Sequence, residues 1–77
     1  MEIKVLGTGC ANCKKLEENV YEALSKLDMS ADVQKVTDIA DIMSYGILST
    51  PGLVVNGKVK VSGKVPGVNE IMSLLKG

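Results

Sequence analysis

Two cysteines, Cys10 and Cys13, are the side chains of this 77-residue sequence whose type and spacing suit covalent chemistry. They stand in the order Cys-Ala-Asn-Cys, and two thiols at this spacing can exchange with a disulfide or bind a soft metal ion. A purely structural disulfide between them would close so short a loop that it would restrict the unfolded chain little. The sequence has no histidine, which excludes imidazole acid–base chemistry and histidine-ligated metal sites. The pattern therefore favours a chemical role for the pair.

The start of a predicted helix surrounds the first cysteine. Residues 2–7 alternate in the manner of a strand, and from residue 11 to about residue 28 apolar side chains recur at helical spacing. Cys10 therefore comes at or just before the helix N-cap, where unpaired amide N–H groups and the positive end of the helix dipole favour a thiolate. We expect a lowered pKa for the Cys10 thiol, with Lys14 and Asn12 as candidate modulators.

The second cysteine belongs to the apolar face of that predicted helix. The face contains Cys13 and four aliphatic residues, Leu16, Val20, Leu24 and Leu27. We therefore expect an exposed, nucleophilic Cys10 and a more buried, resolving Cys13. A dithiol of this kind attacks a substrate disulfide, forms a mixed disulfide and lets the second thiol displace it.

The remaining elements complete an α/β pattern. A weaker strand covers residues 31–36, a short helix follows, and a last helix covers residues 68–76. The short helix has one apolar face, made of Ile39, Ile42 and Met43. Two strand-like runs on either side of Asn56-Gly57 predict a hairpin with a type I′ turn. The order β-α-β-α-β-β-α predicts an α/β fold, with a four-stranded mixed sheet flanked by helices on both faces.

The composition limits the partners and the compartment. Nine lysines and no arginine balance nine acids, and the sequence has no phenylalanine or tryptophan. Nucleic-acid binding normally leaves a basic patch and aromatic stacking platforms, so we predict no nucleic-acid partner. The apolar runs are far shorter than the roughly 20 residues that cross a membrane, and residues 1–7 do not resemble a secretory signal. We predict one monomeric, cytoplasmic domain over residues 1–77.

One alternative to disulfide exchange is metal transport. The loop from Gly7 to Cys13, read Gly-Thr-Gly-Cys-Ala-Asn-Cys, resembles the G-M-T-C-x-x-C loop of heavy-metal-associated copper chaperones, and two thiolates suit Cu(I). Thr8 stands where that loop has its methionine, and those chaperones end in a strand rather than a helix. Tetrahedral zinc would need two further ligands. A Cu(I) chaperone stays the second hypothesis, and a non-catalytic docking module is the third.

The whole pattern resembles the thioredoxin fold, and most of all the small thioredoxin/glutaredoxin-like redox-active disulfide proteins. Four features carry the resemblance: the Cys10-Ala11-Asn12-Cys13 motif after the first strand, Thr50-Pro51 before the hairpin, the Val54-Val55-Asn56-Gly57-Lys58 segment, and the helix at the end of the chain. The resemblance implies an electron carrier that reduces protein disulfides, is recharged by a disulfide reductase and needs no bound cofactor. It also implies a cis Thr50–Pro51 bond beside the disulfide, at the edge where substrates dock.

The sequence departs from its larger relatives at two places. Larger thioredoxins place a buried acid six residues before the first cysteine, where this chain has Lys4, so no acid at that position assists Cys13. The chain has no arginine, which excludes a bidentate clamp on a glutathione carboxylate. We therefore favour a dithiol mechanism on protein disulfides over one on glutathione adducts.

Overall fold

The computed structural model describes residues 1–76, so Gly77, the last residue of the predicted domain, lies outside the described residues. The elements follow the predicted order. The strands are β1 (Glu2–Leu6), β2 (Asp32–Val36), β3 (Gly52–Val55) and β4 (Lys58–Ser62). The helices are α1 (Ala11–Lys26), α2 (Ile39–Ser44) and α3 (Val68–Lys76). Within residues 1–76, no helix has the length and apolar character needed to span a membrane.

The four strands form one mixed sheet in the order β2-β1-β3-β4, which confirms the predicted architecture. β1 pairs with β2 in parallel, as strands joined by a helix commonly do. β3 pairs antiparallel with both β1 and β4. β1 and β3 are the central strands, and every residue of β3 is buried, which explains its continuous apolar sequence.

Apolar side chains cover both faces of the sheet, because successive residues of β1 point to opposite sides. Ile3 and Val5 face the larger core beneath α1 and α3. The helices contribute to that core the buried side chains of Leu16, Val20, Ala23, Leu24, Ile71 and Leu75. Leu6 faces a smaller core, which it shares with Ile42, Ile47 and Val54. Helices therefore flank the sheet on both faces, as the sequence predicts.

The hairpin between β3 and β4 turns at Asn56-Gly57. Both residues have positive φ, 51° and 82°, as a type I′ turn requires. The hairpin returns the chain past the start of β3, where the Gly63 amide donates a hydrogen bond of 2.8 Å to the Pro51 carbonyl oxygen. The two ends of the hairpin are therefore tied together next to Thr50-Pro51.

The predicted apolar face of α2 is only partly buried. Asp38 caps the helix, because its carboxylate accepts hydrogen bonds from the Ala40 and Asp41 amides, and Ile42 is buried. Ile39 and Met43, however, are 64% and 58% exposed. A helix of six residues contacts the sheet along a single narrow line, so only the residue that meets the smaller core is covered.

Candidate functional site

The first turn of α1 has Cys10 at its N-cap. The residue has extended backbone angles (φ −69°, ψ 168°), and its carbonyl oxygen accepts a hydrogen bond from the Lys14 amide at 3.0 Å. Its Sγ accepts a hydrogen bond from the Cys13 amide at 3.1 Å. The first turn contains no acidic residue. Both the amide N–H and the positive end of the helix dipole therefore stabilise negative charge on the Cys10 sulfur.

A disulfide joins Cys10 to Cys13 across one turn of the helix, with the two Cα atoms 5.0 Å apart. The two residues differ in exposure: Cys10 is exposed, whereas Cys13 is only 5% exposed. An incoming disulfide can therefore reach the Cys10 sulfur directly. The Cys13 sulfur is covered by the protein, which suits a thiol that attacks from within.

Gly7 follows β1 directly and packs against the disulfide. A Cβ atom on Gly7 would lie 3.1 Å from Cys13 Cβ and would overlap Cys13 Sγ. The Gly7 amide donates a hydrogen bond of 2.9 Å to the Val36 carbonyl oxygen, so this segment stays attached to β2. Sequence reasoning does not find the contact, because it joins residues on different elements. The only signal is a glycine at the end of a strand-like run.

The Thr50–Pro51 peptide bond is cis, the isomer that the resemblance implies. Pro51 is buried and leads directly into β3. In the antiparallel β1–β3 ladder, Leu6 pairs with Gly52. The segment that leaves β1 towards Cys10 and the segment that enters β3 from Thr50 therefore lie at the same end of these two central strands.

An apolar groove of about 260 Å³ lies at that end of the sheet, and we call it the α2 groove. Thr8 and Thr50 line it, together with five apolar residues of α2 and the loop after it: Ile39, Ile42, Met43, Ile47 and Leu48. Leu48 is 93% exposed, the highest value among the large apolar side chains of residues 1–76. Helical periodicity groups Ile39, Ile42 and Met43 on one face but does not specify which of them the sheet covers, so the sequence does not reveal the groove.

A second cavity of about 80 Å³ lies beside the other cysteine, and we call it the Cys13 cleft. Gly7, Cys13 and Lys14 line it, as do Glu17 of α1 and Lys35 of β2. Its remaining lining residues are Val5, Gly9 and Thr37. The Glu17 side chain is 23% exposed, and its carboxylate lies 3.8 Å from Lys35 Nζ. Sequence reasoning misses this pair, because its members come from a helix and a strand that are distant in the chain.

The two candidate modulators, Asn12 and Lys14, are both exposed in the first turn of α1. Lys14 lines the Cys13 cleft together with Cys13 itself. Within residues 1–76, no group of three or more His, Cys, Asp or Glu is arranged to hold a metal ion.

Lys4 lies on the opposite side of β1 from Val5 and therefore points away from the Cys13 cleft. Its Nζ donates a hydrogen bond of 3.0 Å to the Tyr45 hydroxyl and lies 3.8 Å from the Glu2 carboxylate. The Tyr45 hydrogen bond, assisted by the Glu2 charge, raises the pKa of Lys4 above its ordinary value. Lys4 therefore fastens α2 to the sheet and is not a substitute for an acid beside Cys13.

Comparison with known proteins identifies the class. The family of the thioredoxin domain matches residues 1–76. The chain is 40% identical over 75 residues to a thioredoxin of Methanothermobacter thermautotrophicus, covering 97% of each chain. It is 38% identical over 74 residues to a thioredoxin of Methanocaldococcus jannaschii, covering 96% of this chain and 85% of that one. The chain belongs to the thioredoxin family.

Within that family, this chain is a thiol–disulfide oxidoreductase, and the Cys10–Cys13 disulfide is its redox-active group. The fold, the helix-capping disulfide and the relatives agree on this activity. Neither the structure nor the comparisons support the Cu(I)-chaperone alternative.

Proposed function

We propose that Cys10 attacks disulfides in target proteins and that Cys13 resolves the product, with Thr50 and Pro51 shaping the docking edge. One observation carries the division of roles. Cys10 is an exposed helix N-cap whose sulfur accepts the Cys13 amide hydrogen bond, whereas Cys13 is 5% exposed. An exposed thiolate stabilised by amide N–H groups is the better nucleophile towards an outside disulfide.

The proposed reaction has two steps. The Cys10 thiolate attacks one sulfur of the target disulfide, forms a Cys10–target bond and releases the other target sulfur as a thiolate. The Cys13 thiolate then attacks Cys10 Sγ, closes the Cys10–Cys13 disulfide and releases the second target sulfur. Two electrons pass from the dithiol to the target, so the target becomes a dithiol and the Cys10–Cys13 pair becomes oxidised.

The proposed docking edge includes the α2 groove. Thr50 and Thr8 line this groove, and Thr8 is two residues from Cys10, so a target chain held there lies beside the attacking sulfur. Ile39, Met43 and Leu48 supply exposed apolar surface. A target segment that crosses the Thr50 backbone can add main-chain hydrogen bonds, while its apolar side chains fill the groove.

The partners that complete the cycle are part of the proposal. A disulfide reductase returns the Cys10–Cys13 pair to the dithiol, and the protein acts as a monomeric electron carrier formed by one domain, residues 1–77. It needs no bound cofactor, because the two sulfurs hold the electrons that are transferred. We place this activity in the cytoplasm, where a reducing environment suits a dithiol that donates electrons.

Trapping of the mixed disulfide tests the roles. Cys13→Ser should stop the reaction after the first step, so a covalent adduct between Cys10 and a disulfide-containing protein accumulates and is visible by mass spectrometry. Cys10→Ser should abolish disulfide reduction, because the exposed nucleophile is lost. The double variant C10S/C13S is the control and should form no adduct. Full reducing activity in Cys10→Ser would show that the roles are assigned wrongly.

A further inference from the structure

We propose that Glu17 accepts the proton that Cys13 loses when it resolves the mixed disulfide. The inference rests on the proposed resolving role of Cys13 and adds the residue that ionises it. The observation behind it is the Cys13 cleft, in which Glu17 is the single carboxylate among the lining residues.

Cys13 needs a proton acceptor more than Cys10 does. An ordinary cysteine has a pKa of about 8.5, so only a few per cent is thiolate at neutral pH. Burial further disfavours the charged form of a thiol, and Cys13 is only 5% exposed. Cys10 has the helix N-cap position, and Cys13 lies one turn inside the helix.

The geometry of α1 brings Glu17 to the same cavity as Cys13. The two residues are four positions apart, so their Cβ atoms are about 5–6 Å from each other on one side of the helix. Both line the Cys13 cleft, whose volume is about 80 Å³. A polar cavity holds a water molecule once about 10–15 Å³ is available, so the cleft has room for a water that relays the proton.

The charges around the cleft keep the carboxylate in place. Lys35 of β2 lies 3.8 Å from it, and Lys14 is the other charged residue of the lining. The remaining lining residues, Val5, Gly7, Gly9 and Thr37, carry no titratable group. The ion pair with Lys35 therefore holds the Glu17 carboxylate at the cleft that Cys13 also lines.

The proposed step balances in atoms and electrons. The Cys13 thiol proton passes through the relay water to the Glu17 carboxylate, and the resulting Cys13 thiolate attacks Cys10 Sγ. The Cys10–Cys13 bond forms while the Cys10–target bond breaks. The target sulfur leaves with the electron pair and takes a proton from solvent, and Glu17 later returns its proton to solvent.

A bystander carboxylate would have the opposite effect on the rate. A fixed negative charge near a thiol disfavours the thiolate, so its removal would speed the resolving step. Removal of a proton acceptor slows that step instead. The sign of the effect of Glu17→Gln therefore separates the two roles.

The test isolates the second step with an aromatic disulfide that releases one coloured thiolate when Cys10 attacks and another when Cys13 resolves. In Glu17→Gln we expect the second phase to slow about 10-fold at neutral pH, below the usual 10²–10⁴-fold of direct acid–base catalysis. The first phase should stay within about twofold. The difference in second-phase rate between Glu17→Gln and the parent protein should shrink as the pH rises beyond about 8.5, where a cysteine ionises unaided.

Two variants serve as controls. Glu18→Gln makes the same chemical change at the next, exposed position and should leave both phases unchanged. Glu17→Asp keeps a carboxylate and should recover part of the rate. The ion pair with Lys35 is partly exposed and adds little stability, so similar urea midpoints would verify that the variants are folded.

A second phase that is unchanged or faster in Glu17→Gln would overturn the inference. A slowing of the second phase by the same factor at every pH would also overturn it. A different failure would concern the proposed function. If Cys13→Ser still showed two phases, the resolving role of Cys13 would be wrong, whatever the behaviour of Glu17→Gln.

Discussion

Gly7→Ala tests whether contact between the end of β1 and the disulfide helps to set the stability of the fold. The added methyl group would overlap Cys13 Sγ and lie 3.1 Å from Cys13 Cβ. Cys13 is bonded to Cys10 and begins the buried face of α1, so its sulfur cannot move aside by a simple rotation. The strain should instead separate the first turn of α1 from β1.

The expected cost follows from the degree of crowding. An extra methyl group in a well-packed interior destabilises a protein by about 1–3 kcal/mol. In a domain of this size, each kcal/mol lowers the melting temperature by about 4–8 °C. Gly7→Ala should therefore lower the melting temperature by roughly 4–24 °C, with an equivalent fall in the urea midpoint.

Thermal and urea unfolding of the oxidised protein provide the assay, and Gly67→Ala provides the matched control. A Cβ at Gly67 would meet no atom within 4 Å, so this variant makes the same chemical change without crowding and should destabilise the protein less than Gly7→Ala does. Cys13→Ala removes the sulfur, so adding Gly7→Ala to it should cost less than in the parent protein. Equal melting temperatures for Gly7→Ala and Gly67→Ala, or no relief by Cys13→Ala, would refute the packing explanation.

Two further predictions concern the α2 side of the molecule. Met43→Gln and Leu48→Ser should each lower kcat/KM about 10-fold for peptides whose disulfide is flanked by apolar residues. Each change removes apolar surface that docking buries, which costs about 1.5 kcal/mol of binding free energy. Val59→Thr changes an exposed apolar residue outside the groove and should leave kcat/KM unchanged. An equal loss of kcat/KM in this variant would contradict docking in the groove. The hydrogen bond to Tyr45 raises the pKa of Lys4 above its ordinary value of 10.5, so this interaction stabilises the fold below that pH and its contribution is lost as the pH rises through the higher folded value. Lys4→Met should remove this loss of stability at alkaline pH when unfolding is measured at a series of pH values. An unchanged dependence of stability on pH would refute the prediction.

The sequence predicts those parts of the site that depend on local patterns. The apolar face that contains Cys13 is a helical repeat, and the buried residues of α1 confirm it. Asn56-Gly57 predicts its turn, because few other pairs accept two positive φ values. The position of Cys10 follows from the place where a strand pattern changes into a helix pattern, and it is the N-cap in the structure.

Contacts between distant segments explain what the sequence does not reveal. Gly7 meets Cys13, and Glu17 meets Lys35, only after α1 has packed on the β1–β2 pair. The exposure of Ile39 depends on how much of α2 the sheet covers, which periodicity does not specify. The cis geometry at Pro51 follows from family resemblance rather than from any local residue preference.

The alternation of side chains at the end of β1 separates the two cavities of the site. Val5, Gly7 and Gly9 line the Cys13 cleft, whereas Thr8 lines the α2 groove. Leu6 supports that groove from below, since it shares the smaller core with Ile42 and Ile47, which also line the groove. The two cavities have no lining residue in common. The segment between β1 and Cys10 therefore separates the two cavities, so the proposed docking of a target and the proposed proton transfer from Cys13 would use opposite sides of this segment.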